Sequence, residues 1–212
     1  MGIPERKERE KEQRRKEIVD AAERVFFSKG VWTATMDDVA EAAELSKGTL
    51  YLYFKNKEEL YYAINLRGIH ILIDLFKKAS EQGSTGLEKT FMIGRAFLRF
   101  SEEHGDYFNA LSYYEINDVD YSEADSVACL CDEAGHTAIG ILVEAIQSGI
   151  HDGTVRPELD PEKAAMILWG MVSGIIELVT RKGPHLQKRH GFPMNTLVDD
   201  AFSMIRCILE KK

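Results

Sequence analysis

A positively charged, hydroxyl-rich segment lies at residues 46–57 of a chain that is acidic overall. Its sequence, Ser-Lys-Gly-Thr-Leu-Tyr-Leu-Tyr-Phe-Lys-Asn-Lys, has three lysines and no acid, whereas the 212 residues carry a formal net charge of -8. Acidic residues flank it, the nearest being Glu44 and Glu58. Lysine ammonium and side-chain hydroxyl groups are common protein partners of phosphate oxygens. The segment therefore favours a surface that binds a phosphate-bearing partner.

Two short helices are predicted to hold this segment. Thr35 can cap a first helix whose third residue is Asp38, and Ser46 can cap a second helix after a tight turn. At helical spacing Leu50 and Phe54 would face inward, while the lysine and tyrosine side chains would face outward. Two short helices joined by a tight turn form a helix-turn-helix, whose second helix enters the major groove of DNA.

Residues 35–60 resemble the DNA-binding domain of the tetracycline-repressor (TetR-like) family. The most specific part is the run from Ser46 to Phe54, and the resemblance covers roughly residues 15–63, under a third of the chain. It implies a ligand-responsive transcriptional regulator, most often a repressor, that binds a palindromic double-stranded DNA operator as a homodimer. The predicted DNA-binding residues are Thr35, Ser46, Lys47, Gly48, Thr49, Tyr51, Tyr53 and Lys57.

Several of these residues also have a plainer explanation. Tyr51 and Tyr53 could be packing residues, although the inward positions of their helix are already filled. Any of the lysines could simply be solvated, but Lys57 follows a predicted cap and lies at a helix start, where backbone N–H groups also face phosphate. Gly48 would let the backbone approach DNA closely. Glu44 stands where the family often has glycine, and a left-handed conformation there would cost about 1 kcal/mol.

The first helix is expected to begin after a basic flexible arm at residues 1–14. Arg6 to Lys16 lacks an apolar face, so this part is either a solvated end or a segment that reaches an adjacent groove. From Ile18 apolar residues recur at helical spacing until Lys29 and Gly30. We expect the DNA-binding domain at residues 15–61 and a helical domain for ligand binding and dimerisation at residues 62–212.

The remaining chain has residues typical of helix starts and ends and no strand pattern, so we predict an all-α fold with about nine helices. The predicted helices after the DNA-binding segment begin at Asn56, Thr85, Tyr107, Ser122, Asp160 and Thr196. A linker is expected from Gly149 to Pro157, and a loop around His185 and His190. Cys207 is expected in the core of the last helix.

The helix that begins at Asp160 is apolar around most of its circumference and therefore needs burial on all sides. Gly170, Ser173 and Gly174 form a strip of small residues that lets another helix approach. We predict a four-helix dimer interface made by this helix and the last one, including Ile205 and Leu209. The alternative is an ordinary core helix.

A pocket for a small, mostly apolar ligand is implied by the family resemblance. The residues proposed to line it are Phe97, Phe100, Tyr107, Tyr113, His136, Met166 and Trp169. For any single member of this set, ordinary core packing is the simpler account. Ligand binding would favour a spacing of the two DNA-binding domains that no longer fits the operator.

The sequence gives no reason to expect an enzyme, a cofactor or a metal site. It has no phosphate loop, no nucleophile elbow and no metal-ligand spacing, and its three cysteines favour free thiols. No secretory signal is visible, and the longest apolar stretch, at residues 164–176, is too short for a membrane span. A cytoplasmic protein is expected. A helical adaptor that does not bind DNA is the alternative from another functional class.

Overall fold

The computed structural model describes residues 3–116, 126–191 and 193–211, with the side chains of residues 3–4, 113–116 and 195 excepted. Within these ranges the chain forms nine α-helices and no β-strand, so the all-α prediction is confirmed. The helices are α1 (Ile3–Lys29), α2 (Met36–Ala42), α3 (Lys47–Tyr51), α4 (Lys57–Ser80), α5 (Gly86–Glu103), α6 (Gly105–Ile116), α7 (Val127–Asp152), α8 (Pro161–His190) and α9 (Met194–Leu209).

The chain divides into two compact units. The first comprises Met1–Ile69 and Asp106–Glu133, and the second comprises His70–Gly105 and Ala134–Lys212. Helices α4 and α7 each contribute residues to both units. The boundary predicted at residues 61 and 62 falls inside α4, and a functional division there stays a prediction.

Local capping explains where the helices begin. Thr35 and Asp38 form a reciprocal capping box at α2, and Thr85 and Glu88 form another at α5. The Ser46 hydroxyl accepts the backbone N–H of Thr49 at the start of α3. The Asn56 and Asp160 side chains do the same for α4 and α8, accepting the N–H groups of Glu59 and Lys163. Each cap satisfies an N–H group that has no partner within its own helix.

The core of the first unit is formed by α1, α2, α3 and the start of α4. Leu50 and Phe54 are fully buried, as predicted, and the guanidinium carbon of Arg15 lies 4.3 Å from the centre of the Phe54 ring. The remaining large apolar side chains of this core come mostly from α1 and α4: Ile18, Phe26, Leu60 and Ile64.

The segment predicted to be a flexible arm is instead part of α1, which is helical from Ile3. Side-chain pairs one turn apart support it, since Arg6 bonds Glu10 at 2.7 Å and Gln13 bonds Glu17 at 3.3 Å. Such pairs stabilise an exposed helix by about 0.2–0.5 kcal/mol each. A helix already nucleated by the packed residues from Ile18 onward can therefore continue through a segment that has no apolar face.

Other boundaries in the second unit differ from the sequence prediction. Gly149 does not end α7, which continues to Asp152 and stops at Gly153 with a φ of 79°. Gly149 instead allows close packing, because a Cβ built on it would lie 2.4 Å from a side-chain carbon of Val155. His185 and His190 lie within α8 and not in a loop. Helix α9 begins at Met194, two residues before Thr196.

Candidate DNA-binding surface and effector cavity

The turn between α2 and α3 sets the direction of the second helix. Glu44 adopts a left-handed conformation with a φ of 55°, and the Leu45 N–H donates to the Ala40 carbonyl oxygen at 2.9 Å. This arrangement closes α2 and brings Ser46 to the cap position of α3. The glutamate therefore occupies the left-handed position that the sequence analysis identified as strained.

The predicted DNA-binding residues lie on the outer side of this helix pair. Leu50, between them, is fully buried and marks the inner side. Thr35, Ser46, Lys47, Gly48 and Tyr51 are exposed, and Thr49, Tyr53 and Lys57 are half-buried. Tyr53 also packs against the core of the unit, so its ring has both a structural and a surface side. DNA contact by these residues stays a prediction.

The lysines of this surface already have partners in the unbound protein. Lys47 forms an ion pair with Asp37, and Lys29 forms one with Asp38 at 2.7 Å. The Lys57 ammonium donates to the carbonyl oxygens of Val31 and Ala34, at 2.9 and 3.2 Å. A lysine has three N–H donors, so Lys57 can hold the turn before α2 and still offer a proton to a phosphate.

The hydroxyl groups at the helix starts form local hydrogen bonds. The Ser46 and Thr49 hydroxyl oxygens lie 2.8 Å apart, so one hydroxyl donates to the other and the accepting hydroxyl keeps its own proton for another acceptor. The Thr35 hydroxyl donates to Asp38 at 2.8 Å. Hydrogen bonds from Lys29 and then from Thr35 lower the pKa of Asp38 to about 2, so this carboxylate is ionised at neutral pH.

Two exposed apolar side chains on the same unit escaped the sequence analysis. Leu52, directly after α3, is 80% exposed, and Trp32, three residues before Thr35, is 74% exposed. Leu52 carried a usable signal, because the inward positions of its helix are already taken by Leu50 and Phe54. Apolar side chains at such a surface can contact the methyl group of thymine.

A small apolar cavity lies inside the second unit. It encloses about 30 Å³, enough for a water molecule but far below the roughly 300 Å³ of a small ligand pocket. Phe97 and Trp169, two of the predicted pocket residues, line it with stacked rings whose centres are 4.4 Å apart. The other lining residues are Phe76, Thr90, Phe91, Ile93, Gly94, Leu142, Leu168, Val172, Phe202 and Ile205.

The other predicted pocket residues do not line this cavity. Phe100 is fully buried but packs elsewhere, and His136 and Met166 are exposed. Tyr107 belongs to the first unit, where its hydroxyl donates to Glu23 at 2.7 Å. Burial and this carboxylate raise the pKa of Tyr107. The Tyr113 side chain lies outside the described residues.

The residues of the predicted dimer interface differ in exposure, and dimerisation through them stays a prediction. Gly170 and Gly174 are exposed, and a Cβ built on either would have no atom within 4 Å, while Ser173 is half-buried. Ile205 and Leu209, at 5% and 1% exposure, are buried within the chain and cannot form an interface. One residue earlier on each turn of α9, Met204 and Ile208 are 65% and 42% exposed. When a helix has apolar residues on both faces, its sequence does not show which face packs inside the protein.

Helix α8 has an exposed apolar surface. Met166 and Ile167 are 59% and 60% exposed, although both belong to a strongly apolar stretch. By length and composition alone α8 could cross a membrane, which is weak support for a span because the core helices of soluble proteins pass the same test. The predicted dimer offers another explanation, in which a helix of a second copy covers this exposed face of α8.

The cysteines do not form a metal site or a disulfide in the described ranges, where no group of three His, Cys, Asp or Glu side chains could hold a metal ion. Cys131 is buried, and desolvation raises the pKa of its thiol to about 12, so the thiol is unreactive at neutral pH. Cys207 is exposed on α9, contrary to the prediction that it lies in the core.

Comparison with known proteins supports a regulatory role for this arrangement. Residues 18–64, which span the α1 to α4 core, match the family model of bacterial regulatory proteins of the tetR family. The transcriptional repressor KstR2 of Rhodococcus jostii is 28% identical, over 73% of this chain and 74% of its own. The transcriptional activator FasR of Mycolicibacterium smegmatis is 27% identical, over 77% of this chain and 69% of its own.

Solved structures share the fold over nearly the whole chain. The regulator FadR of Bacillus subtilis, solved in complex with stearoyl-CoA, superposes with a TM-score of 0.69 and 18% identity. The superposition covers 91% of this chain and 97% of FadR.

Proposed function

We propose that this chain, which belongs to the tetR family of bacterial regulatory proteins and is a transcriptional regulator, acts as a repressor that a small, mostly apolar ligand releases from DNA. It would bind a palindromic operator as a homodimer in the cytoplasm. The observation that carries this proposal is the capped helix pair, with Leu50 and Phe54 fully buried and five predicted DNA-binding residues exposed.

Dimerisation is supported by the exposed face of α8 and α9. The exposed apolar side chains there are Met166, Ile167, Met204 and Ile208, and they accompany the open strip at Gly170 and Gly174. Small residues let helices approach closely, and the apolar side chains gain about 25 cal/mol for each Å² that a partner covers. A two-fold dimer would place two α3 helices against two half-sites of one operator.

Ligand control is supported by the cavity behind Trp169. The cavity is apolar, and its small volume means that a ligand has to displace lining side chains to enter. FadR, with the same fold, was solved with stearoyl-CoA, a ligand that has a long apolar chain. We propose that such a displacement shifts α4, whose residues belong to both units, and so changes the spacing of the two DNA-binding domains.

A selection from a random DNA library with the full-length protein tests the DNA-binding part. Two-fold symmetric sequences should be enriched, and binding should fall steeply with salt. Tyr51→Ala and Lys47→Ala should each weaken binding to the selected site by about tenfold or more, since one good contact is worth roughly 1–3 kcal/mol. Lys188→Ala, an exposed lysine in the last turn of α8, is the matched control. Failure to enrich any sequence would contradict DNA binding and favour an adaptor.

The direction of control is tested with the selected site placed upstream of a reporter gene. Expression should fall when the protein is present and recover when an apolar ligand is added. Expression that rises with the protein would show an activator, as FasR is named to be, and would contradict the repressor proposal.

A further inference from the structure

Two arginines lie over aromatic rings that line the cavity. The guanidinium carbon of Arg95 is 5.2 Å from the centre of the Phe202 ring, and that of Arg206 is 4.5 Å from the centre of the Phe91 ring. The Phe91 and Phe202 rings are neighbours, with centres 6.2 Å apart. The two cations therefore stand close to one edge of an otherwise apolar cavity.

These guanidinium groups are held in place without being fully engaged. An arginine over an aromatic ring gains about 0.5–1 kcal/mol at an exposed site, which restrains its position. Each also forms an ion pair with an acidic side chain, at 3.8 Å from Arg95 Nη2 to Asp199 Oδ1 and at 3.8 Å from Arg206 Nη1 to Glu210 Oε1. Such separations are longer than hydrogen bonds. Roughly half of each arginine side chain is exposed, at 58% and 49%.

One of the two rings at this edge is partly exposed to solvent, and the other is buried. Phe91 is half-buried, and the Phe202 ring lies so close to Gly94 that a Cβ there would be 2.9 Å from it. An apolar chain that separates these two rings would enter the cavity lengthwise. Its outer end would then lie beside the two guanidinium groups, whose planar N–H donors match carboxylate and phosphate oxygens.

We propose that the effector is an amphiphile whose apolar chain occupies the cavity and whose anionic head group binds Arg95 and Arg206. This rests on the proposed function and names the ligand class for the same cavity. The head group can be the carboxylate of a free fatty acid or the phosphates of an acyl-CoA thioester. Both present oxygen anions to the same pair of guanidinium groups.

Binding can be measured by the fluorescence of Trp169. The chain has two tryptophans, so Trp32→Phe leaves Trp169, which lines the cavity, as the only reporter. The full-length Trp32→Phe protein is titrated with decanoate, decanoyl-CoA, decanol and decylamine. At least one of the two anions should bind roughly tenfold more tightly than decanol, since hydrogen bonds to a charged group are the strong ones. Decylamine should bind more weakly than decanol.

The anion that binds more tightly than decanol identifies the chemical source of the head group. Tighter binding of decanoate supports a free carboxylate, and a gain for decanoyl-CoA alone supports the phosphates of a thioester. Decanol that binds as tightly as both anions would overturn the proposal.

Arginine variants test the residues. Arg95→Gln and Arg206→Gln should each remove most of the preference for the anion and leave the affinity for decanol unchanged, which also shows that the variants fold. Arg99→Gln, exposed one turn further along α5, should behave like the parent protein. An anion preference that survives both substitutions would contradict the assignment.

Head-group preference and release of DNA can be measured separately. If ligands with anionic, neutral and cationic head groups release DNA equally well, ligand control is supported and an anionic effector is contradicted. Anion-selective binding that leaves the DNA complex intact would uphold the arginine site and contradict ligand control.

Discussion

The two units of this regulator differ in what defines their structure. In the first unit, the proposed DNA-binding surface is defined by contacts between residues three or four positions apart, such as Thr35 with Asp38 and Ser46 with Thr49. In the second unit, the cavity and the exposed face of α8 and α9 depend on which side of an apolar helix turns inward. A surface built from local contacts can be interpreted from sequence more fully than one that depends on helix orientation.

The largest effect should come from the core beneath the DNA-binding surface. Phe54→Ala should lower the free energy of unfolding by about 3–5 kcal/mol, since a fully buried ring is replaced by a cavity. It should also weaken DNA binding, because α3 loses its support. Urea denaturation followed by circular dichroism, at equal protein concentration, measures the loss.

The control for Phe54→Ala is its near neighbour Leu52, which is 80% exposed. Leu52→Ala should change stability by no more than about 0.5 kcal/mol, as for most surface substitutions. Similar losses in the two variants would mean that α3 packs through a different face.

The features that can be predicted from the sequence follow the same division between the two units. The caps at Thr35, Ser46, Asn56, Thr85 and Asp160 were predicted correctly, because a cap needs only a side-chain oxygen and an N–H group a few residues away. The all-α fold is predicted from the same helix-capping residues. The α1 extension was missed because an exposed helix held by charge pairs has no apolar periodicity to detect.

The errors in the second unit concern orientation. Ile205 and Leu209 were assigned to the dimer interface, but they are buried, and Met204 and Ile208 are exposed in their place. One residue along a helix turns the side chain by about 100°. Apolar residues at both positions leave two faces that the sequence alone does not distinguish.

The two capping boxes offer a matched test of the comparison. Thr35→Ala in the first unit and Thr85→Ala in the second should each cost about 1 kcal/mol of stability, because each removes one reciprocal cap. Only Thr35→Ala should weaken binding to the selected DNA site, by several-fold in an anisotropy titration. Equal loss of DNA binding in both variants would show that capping acts through overall stability and that Thr35 has no special role at the surface.

The smallest effect concerns the turn at Glu44. Its φ of 55° makes it the exception among the left-handed residues that the structure describes, since Gly30, Gly153 and Gly191 are glycines. Removing the side chain from a left-handed position stabilises the folded state by about 1–2 kcal/mol. The greater conformational freedom of glycine in the unfolded chain lowers stability by about 0.5–1 kcal/mol. Glu44→Gly should therefore stabilise the protein by about 0.5–1 kcal/mol and leave DNA affinity unchanged, because the turn keeps its shape.

The matched opposite is Gly153→Ala in the second unit, at a φ of 79° with no atom within 4 Å of the added Cβ. Since nothing there clashes, any loss comes from backbone strain alone, and we expect about 1 kcal/mol of destabilisation. Thermal unfolding of the two variants beside the parent protein measures both signs. If Glu44→Gly lowered the unfolding midpoint, the glutamate side chain would have to stabilise the turn by more than the strain that it imposes. Backbone strain at Glu44 would then not decide the stability of this turn.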